Sequence, residues 1–380
     1  MELNKIKIPY NKPSFVGNEL NYIKLAVKSG KISGDGNFSK KCTDLLERKF
    51  NAYKILLTPS GTAALDLSAL LLNLKDGDEV ISPSFTFTST VNSFVLLGAK
   101  PVFVDIRPDT LNIDETKIEN AISEKTKAIY CVHYAGVACE MDKILEIADK
   151  YKIPVVEDAA QALNAKYKNQ YLGTFGDFGV YSFHETKNIN CGEGGAIVIN
   201  NKHFAKRAEI IREKGTNRSQ FFRGEIDKYT WCDIGSSYLL SEILAAYLYA
   251  QLEKMDEITF KRKIIYTYYK NVLSDLEKKG KVKLPLIPTH CTSNYHIFYI
   301  LLNSNKQRNL IMDEMKKKGI LAVFHYIPLH TSPMGKNFGY KKGQFPVTEN
   351  IPGRLLRLPL YYSLKDSEAL FVIKLLRSLL

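Results

Sequence analysis

Residues 155–161 read VVEDAAQ, a short apolar run that ends in two acids and continues into small residues. A run of this length, rich in β-branched residues, is typical of a strand that is buried on both faces of a parallel sheet. The carboxyl ends of such strands line the ligand crevice of open α/β sheets, so Asp158 is predicted to face a ligand. The alternative interpretation of this fragment is an aspartate that caps a following helix.

Six further apolar runs alternate with helical patterns on either side of this stretch. The runs are Ile55–Leu57, Glu79–Ser82, Pro101–Val104, Ala128–Val132, Gly179–Phe183 and Ala196–Ile199. The helical patterns include Thr62–Leu74, Ser89–Leu97, Met141–Lys150 and Ser241–Gln251. This alternation predicts an α/β fold for the first part of the chain, residues 1–250.

The remaining residues, 251–380, are predicted to form a smaller α+β domain with a basic surface. Its expected elements are a helix over Met255–Leu276, a strand in YHIFYILL (295–302), a helix over Arg308–Lys318, a strand in LAVFHY (321–326) and a helix from about Asp366. The whole chain has a net charge of +13, and residues 251–380 carry 22 Lys and Arg against 10 Asp and Glu. This excess favours either attraction of an anionic ligand or ordinary solvated helix faces.

Composition narrows the function classes. The chain has 380 residues, of which 45% are hydrophobic, and no apolar run approaches the 18 residues of a membrane span. The N-terminal residues lack the apolar core of an export signal, so the expected location is the cytoplasm. The six cysteines form no CxxC pair, which predicts free thiols and no metal site.

Two common nucleotide-binding motifs are missing, and one rival class remains. The sequence contains neither GxGxxG nor GxxxxGK[ST], which argues against a nicotinamide or nucleoside triphosphate fold. A pI of about 9.2 leaves a basic nucleic-acid-binding regulatory protein as the alternative class. The charge is diffuse and no nucleic-acid-binding module is recognisable, so neither nucleic acid nor a membrane is an expected partner.

A candidate phosphate site lies in PSGTAAL (59–65), where a strand runs into a small-residue turn and a helix begins. The first N–H groups of a helix have no internal partners and attract anions, and Ser60 and Thr62 can add hydroxyls around Gly61. The competing interpretation is a simple N-cap.

A candidate nucleophile lies in YSFHETKN (181–188), where a strand brings Ser182 and Lys187 to its carboxyl end. Desolvation there lowers a lysine pKa and frees the amine to attack a carbonyl. Pyridoxal phosphate requires such a Schiff-base lysine, an acid at its ring nitrogen and a phosphate site. Lys187, Asp158 and the helix start at Gly61 supply all three.

The strings SGTAAL, VVEDAAQ and SFHETKN…GEGGA resemble the DegT/StrS family of pyridoxal phosphate-dependent sugar aminotransferases, over nearly the whole chain. The resemblance implies the type I transferase fold, like that of aspartate aminotransferase, with a large mixed sheet and a smaller C-terminal domain. It also implies a homodimer with shared active sites.

The resemblance also implies residue roles. Lys187 would hold the cofactor and move a proton, and Asp158 would pair with the ring nitrogen. The other implied cofactor contacts are Ser60, Gly61, Thr62, Phe87, Gln161, Ser182 and Ser237. Phe87 would stack on the ring, although a core phenylalanine is the alternative. Ser237 stands where many relatives carry an asparagine that reaches the phosphate of the neighbouring subunit.

The segments Arg212–Tyr238, 322–330 and 354–360 resemble members that use L-glutamate to convert dTDP-4-dehydro-6-deoxy-D-glucose into dTDP-4-amino-4,6-dideoxy-D-galactose and 2-oxoglutarate. The implied substrate contacts are Asn217, Arg218, His325, Tyr326 and His330, with ordinary packing as the alternative for the histidines. Asn217 or Arg218 could also replace the missing asparagine. Another nucleotide sugar, such as a GDP-linked 4-keto or a 3-keto sugar, is the alternative substrate.

Overall fold

The structure is a computed structural model and describes residues 7–380. Its strands are β1 (Lys54–Thr58), β2 (Glu79–Pro83), β3 (Lys100–Val104), β4 (Thr126–Val132), β5 (Val155–Asp158), β6 (Lys166–Tyr167), β7 (Gln170–Tyr171), β8 (Phe178–Ser182), β9 (Gly195–Ile199), β10 (Cys291–Thr292), β11 (Phe298–Leu301) and β12 (Leu355–Leu358).

The helices are α1 (Glu19–Lys28), α2 (Asn37–Phe50), α3 (Gly61–Leu71), α4 (Thr88–Val95), α5 (Met141–Tyr151), α6 (Ala205–Arg212), α7 (Arg218–Phe222), α8 (Glu242–Glu253), α9 (Met255–Lys278), α10 (Asn305–Lys317), α11 (Pro333–Asn337), α12 (Pro346–Arg354) and α13 (Asp366–Leu379). Short 3₁₀ turns lie between several of them.

A seven-stranded mixed sheet forms the centre of the large domain. Its strand order is β1-β9-β8-β5-β4-β2-β3, and the pairs from β3 to β8 are parallel. Strand β9 runs antiparallel to both neighbours, and its first residue, Gly195, pairs with the last residue of β8, Ser182. The chain between these two residues is therefore a closed loop at the carboxyl edge of the sheet.

Both faces of this sheet are covered by apolar residues. In β5, Val155 belongs to one core and Val156 to the other, as expected because successive strand side chains point to opposite faces. Helices α2, α5 and α8 pack on the first face, whereas α3, α4 and α6 pack on the second. Because apolar residues cover both faces of the sheet, its strands appear in the sequence as continuous apolar runs.

A separate apolar core holds the C-terminal part together. It joins α9, α10 and α13 to the antiparallel pair β11–β12. Met255 and Ile258, at the start of α9, pack in the first core of the large domain, and from Ile265 onward the helix packs in the C-terminal core. The domain boundary near residue 250 stays a prediction.

All seven predicted strands of the sheet are confirmed, to within two residues at their ends. The predicted strand at LAVFHY is wrong. Only an isolated bridge between Val323 and Arg357 forms there, and the rings of His325 and Tyr326 stack with centroids 4.0 Å apart and planes at 11°. Consecutive side chains on one side are incompatible with the alternation of a strand. Helices α1 and α2 were not predicted.

Two other predictions concern the whole chain. All six cysteines are free, as their spacing predicts. No helix within residues 7–380 is long and apolar enough to cross a membrane. The cytoplasmic location stays a prediction.

Candidate active site

A cavity of about 350 Å³ opens where the carboxyl ends of β5 and β8 meet the C-terminal domain. It brings together ten of the predicted residues: Ser60, Gly61, Thr62, Phe87, Asp158, Gln161, Ser182, Lys187, His325 and Tyr326. The two central residues arrive from neighbouring strands. Asp158 is the last residue of β5, and Lys187 follows the end of β8 by one short turn.

Asp158 is buried and its carboxylate is held in a fixed direction. One oxygen, Oδ2, accepts a hydrogen bond of 2.7 Å from the hydroxyl of Thr90, and the other accepts one of 3.1 Å from the backbone N–H of Ala160. Turns rather than an α-helix follow, so the helix-cap interpretation is wrong. The remaining lone pairs of the carboxylate can accept a proton-bearing group in the cavity.

Lys187 is half-buried and lines the same cavity. Desolvation is the main cause that lowers the pKa of its amine to about 8, and the positive charge of Arg357 acts in the same direction. The carboxylate of Asp158 opposes this shift, which places the two side chains within electrostatic reach of each other. A substantial fraction of the amine is therefore unprotonated slightly above neutral pH.

The start of α3 forms one end of the cavity. The hydroxyl of Ser60 accepts a hydrogen bond of 3.0 Å from the N–H of Ala63, so the N-cap interpretation is correct and Ser60 also lines the cavity. A Cβ on Gly61 would lie 2.9 Å from the Cβ of Ser182. Only glycine lets this helix start approach β8 so closely, which leaves its N–H groups and nearby hydroxyls around a space suited to an anion.

Phe87 lies at the cavity with 60% of its surface exposed, whereas Phe85 is 1% exposed. The core interpretation of Phe87 is therefore wrong, and it describes Phe85 instead. A large exposed ring beside a polar cavity leaves one apolar face available to a flat ligand.

Gln161 is held by its neighbours on both sides. Its Oε1 accepts a 2.8 Å hydrogen bond from the N–H of Ala135, and its Nε2 donates one of 2.9 Å to the hydroxyl of Tyr326. The bond between Gln161 and Tyr326 joins the large domain to the C-terminal domain at the cavity wall.

His330 does not line the cavity, so its predicted role in substrate binding is wrong. Its side chain is 0% exposed, and its ring nitrogens bond to Ser84 Oγ at 2.7 Å and Glu349 Oε1 at 3.0 Å. The packing alternative is the correct one, because one ring nitrogen joins the turn at Leu329 to Ser84, next to the end of β2, and the other joins it to Glu349 of α12.

Asn217, Arg218 and Ser237 also lie outside the cavity of this chain. Arg218 bonds Glu213 at 2.9 Å, Asn217 accepts from the N–H of Thr230, and Ser237 forms a bridge with Glu213. Because their implied roles involve a neighbouring subunit, these roles stay predictions.

Sequence reasoning missed several cavity residues. The most informative of them is Arg357, which lines the cavity from β12. Tyr10 and His296 also line it. Sequence reasoning also missed Thr90, which bonds Asp158 but does not line the cavity. A signal for Arg357 was present, since it stands between two leucines in LLRL and a charged residue in an apolar strand needs a reason.

These residues fit pyridoxal phosphate. The cavity offers an amine with a lowered pKa, a buried carboxylate, an exposed aromatic ring and a helix that begins at a glycine, which has no Cβ. Lys187, Asp158, Phe87 and the Gly61 turn would respectively hold the aldehyde, the ring nitrogen, the ring face and the phosphate.

The sequence profile of the DegT/DnrJ/EryC1/StrS aminotransferase family matches residues 13–377. GDP-perosamine synthase of Escherichia coli O157:H7 is 32% identical over 366 residues, which cover 96% of this chain and 96% of that protein. The uncharacterized protein MJ1066 of Methanocaldococcus jannaschii is 38% identical over 379 residues, which cover 98% of this chain and 97% of that protein.

Similar solved structures include Spr1654 from Streptococcus pneumoniae in its pyridoxal phosphate form. Its TM-score is 0.90 at 27% identity, with 98% of this chain and 99% of that chain covered. The pyridoxamine phosphate form of the same protein has a TM-score of 0.90, at 28% identity over 98% of this chain and 97% of that chain.

Proposed function

Because the chain belongs to the DegT/DnrJ/EryC1/StrS aminotransferase family, we propose that it moves the amino group of L-glutamate to the keto carbon of a nucleotide-linked 4-keto-6-deoxy sugar. Membership makes the chain a pyridoxal phosphate-dependent transaminase with the type I fold. The observation that carries the proposal is the meeting of Lys187 and Asp158 in one cavity with the start of α3.

Pyridoxal phosphate, when bound, supplies an aldehyde that carries the amino group and a ring that stores the electron pair left by a lost proton. The Nζ atom of Lys187 would take the proton from the α-carbon of the donor and return it to the cofactor carbon that had carried the aldehyde oxygen. Its lowered pKa of about 8 suits this exchange, since a general base works best with a pKa near the working pH.

Asp158 would hold a proton on the ring nitrogen, because its carboxylate favours the positive charge there. Thr90 and Ala160 fix the two carboxylate oxygens, so the group does not need to reorient during the reaction. Donor and acceptor use the same cavity in turn, which predicts ping-pong kinetics.

Two nucleotide sugars are candidates for the acceptor substrate. The resemblance of Arg212–Tyr238 favours dTDP-4-dehydro-6-deoxy-D-glucose, with dTDP-4-amino-4,6-dideoxy-D-galactose as the product. The 32% identity to GDP-perosamine synthase favours a GDP-linked 4-keto sugar as the second candidate. Both candidates carry the keto group at carbon 4 of the sugar ring, which is the carbon that would receive the amino group.

The test combines spectra with product analysis. Holoenzyme is titrated with L-glutamate while its visible absorption is followed, and each nucleotide sugar is then added and the products are identified by mass. We expect bleaching by glutamate, recovery with one sugar, and a Lys187→Ala variant that does neither. A protein without a visible cofactor band after incubation with pyridoxal phosphate would contradict the proposal.

We also infer that the enzyme is a homodimer with shared active sites. The segment from Asn217 to Ile234 exposes several large apolar side chains, namely Phe222 at 69%, Tyr229 at 50%, Trp231 at 79% and Ile234 at 54%. An apolar patch of this kind on a folded chain is typical of a surface that a partner covers. It lies beside Ser237 and Asn217, whose implied roles need a neighbouring subunit.

A further inference from the structure

The N-terminal segment crosses from the C-terminal domain to the loop between β8 and β9. Ile8 is buried in the C-terminal core and forms a parallel bridge with Ile320. Three residues later, the side-chain amide of Asn11 donates a hydrogen bond of 3.3 Å to the backbone oxygen of Glu185 in that loop. The segment is therefore fixed at two points, and Tyr10 lies between them.

Tyr10 is half-buried and lines the active-site cavity. Its backbone oxygen accepts a hydrogen bond of 3.3 Å from the N–H of Leu360, and its ring centroid lies 5.5 Å from the guanidinium carbon of Arg357. Its hydroxyl, in contrast, forms no hydrogen bond within residues 7–380. A fixed ring with a free hydroxyl at a cavity wall is suited to binding a ligand.

The nearby neutral side chains are already bonded within the protein. Two tyrosines line the cavity, Tyr10 and Tyr326, and the hydroxyl of Tyr326 accepts a hydrogen bond of 2.9 Å from Nε2 of Gln161. Both ring nitrogens of His325 are also hydrogen-bonded. Of the two tyrosine hydroxyls in the described cavity lining, the one on Tyr10 is therefore the one left for a ligand.

The other polar groups near Tyr10 offer either a charge or an acceptor alone. Oδ1 of Asn188 accepts a hydrogen bond of 3.0 Å from Nδ1 of His296, so the second nitrogen of that neutral ring can only accept. Arg357 and Lys187 are cationic groups, for which carboxylates are the strongest partners. Tyr10 supplies a neutral hydroxyl that can donate to and accept from an uncharged oxygen.

We propose that the hydroxyl of Tyr10 binds the hydroxyl on carbon 3 of the keto sugar, next to the carbon that receives the amino group. The inference rests on the proposed function and names a group that recognises the acceptor. Donor and acceptor react at the same place in the cavity, so carbon 4 of the sugar must lie where the α-carbon of the donor lay.

The position of Tyr10 fits this contact. Its ring touches Arg357, whose charge is felt at the amine of Lys187, so the phenol and the reacting amine face the same part of the cavity. On one side of carbon 4, carbon 3 carries a hydroxyl. On the other side, carbon 5 carries the methyl group of the 6-deoxy sugar. The hydroxyl on carbon 3 is thus the neutral polar group nearest to the reacting carbon, and a neutral partner binds it without desolvating a charge.

The test uses Tyr10→Phe, which removes the hydroxyl and keeps the ring. In stopped flow, the pyridoxal phosphate form is mixed with L-glutamate. The pyridoxamine phosphate form is mixed with the dTDP- or GDP-linked 4-keto-6-deoxy sugar that wild type turns over, and then with the 3-deoxy analogue of that sugar. Calorimetry measures binding of the corresponding 4-hydroxy sugar nucleotide, which has no keto group to react. Tyr53→Phe is the matched control, since Tyr53 is exposed and lies outside the cavity.

We expect Tyr10→Phe to lower kcat/KM of the sugar half-reaction by roughly 3- to 10-fold, as for loss of one neutral hydrogen bond, and to weaken the 4-hydroxy sugar by a similar factor. The glutamate half-reaction should change by less than about twofold, because its carboxylates have cationic partners. With the 3-deoxy sugar, Tyr10→Phe and wild type should react equally, since the partner of the hydroxyl is gone.

Three outcomes overturn the inference alone. They are an unchanged sugar half-reaction, a loss that persists with the 3-deoxy sugar, and an equal loss with L-glutamate, which would assign the hydroxyl to the donor instead. A wild-type holoenzyme that turns over neither nucleotide sugar overturns the proposed acceptor and the inference together.

Discussion

The hydroxyl of Thr90 donates a hydrogen bond of 2.7 Å to Oδ2 of Asp158, and it is itself 2.8 Å from the hydroxyl of Thr86. Thr90 lies on α4 and Asp158 at the end of β5, so this contact joins a helix to the central strand of the sheet. All three side chains are buried. The acid that we propose for the ring nitrogen is therefore oriented by a neighbour that does not line the cavity.

Replacing Thr90 tests this positioning role. Thr90→Val keeps the shape of the side chain but removes the donor, so we expect kcat to fall by roughly 5- to 20-fold, as for a bond to a charged group. Asp158→Asn sets the upper limit, with a loss of roughly 100-fold or more while the cofactor still binds. Thr90→Ser should restore the rate, and a Thr90→Val enzyme with normal kcat would count against the role.

Removal of the positive charge of Lys187 should stabilise the apoprotein, the form that has no cofactor bound. The pKa of Lys187 is about 8 in the fold and 10.5 in a free lysine, so the unfolded chain binds the proton more tightly. Below pH 8 the amine is charged in both states, and the full cost is present, about 3 kcal/mol.

Lys187→Met should therefore raise the free energy of unfolding of the apoprotein at pH 7. This gain should shrink as the pH rises from 8 to 10.5, because the wild-type amine then loses its charge in the folded state. Urea unfolding at pH 7 and pH 10 measures both values. The exposed Lys263, replaced by Met, provides the control, and an equal gain in that variant would refute the explanation.

Phe87 and Phe85 should separate cofactor binding from stability. Phe87→Leu removes an exposed ring, so we expect pyridoxal phosphate to bind roughly 2- to 10-fold more weakly with no change in the melting temperature of the apoprotein. Phe85→Leu should instead lower the free energy of unfolding by about 1–2 kcal/mol, because that ring packs against Tyr134 and Tyr326. Absorbance titration and thermal denaturation distinguish the two, and the reverse pattern would exclude the stacking role.

Trp231 should contribute to the stability of the proposed homodimer. It is 79% exposed in the single chain, and buried tryptophans dominate many interfaces, so Trp231→Ser should raise the dimer dissociation constant by at least roughly tenfold. Sedimentation velocity at several concentrations measures this constant. Phe371→Ser, an exposed position on α13, is the control. A wild-type protein that sediments as a monomer would rule out the dimer.

The sheet and the centre of the site were predictable because local sequence determines them. Runs such as Val155–Glu157 are short and rich in β-branched residues, which favours a strand buried on both faces over a segment of buried helix. Asp158 and Lys187 were predictable because a strand end brings each of them to the same edge.

Contacts between distant parts of the chain were not predictable in this way. Thr90 bonds a residue 68 positions away, and His330 is fixed by Ser84, which lies 246 positions away. Nothing local to either residue carries that information. The segment at His325 failed as a strand for the same reason, since its side chains turn toward Arg357 and the cavity.

The pairing of Ser182 with Gly195 has a consequence for how the enzyme acquires its cofactor. Strands β8 and β9 fix the two ends of the loop that carries Lys187. Much of the conformational entropy that must be lost to position the amine is therefore already lost when the sheet folds. We expect backbone amides at both ends of this loop to be protected from hydrogen exchange even in the apoprotein. Because the amine is then already in position, ordering of the chain should cost little of the free energy of cofactor binding.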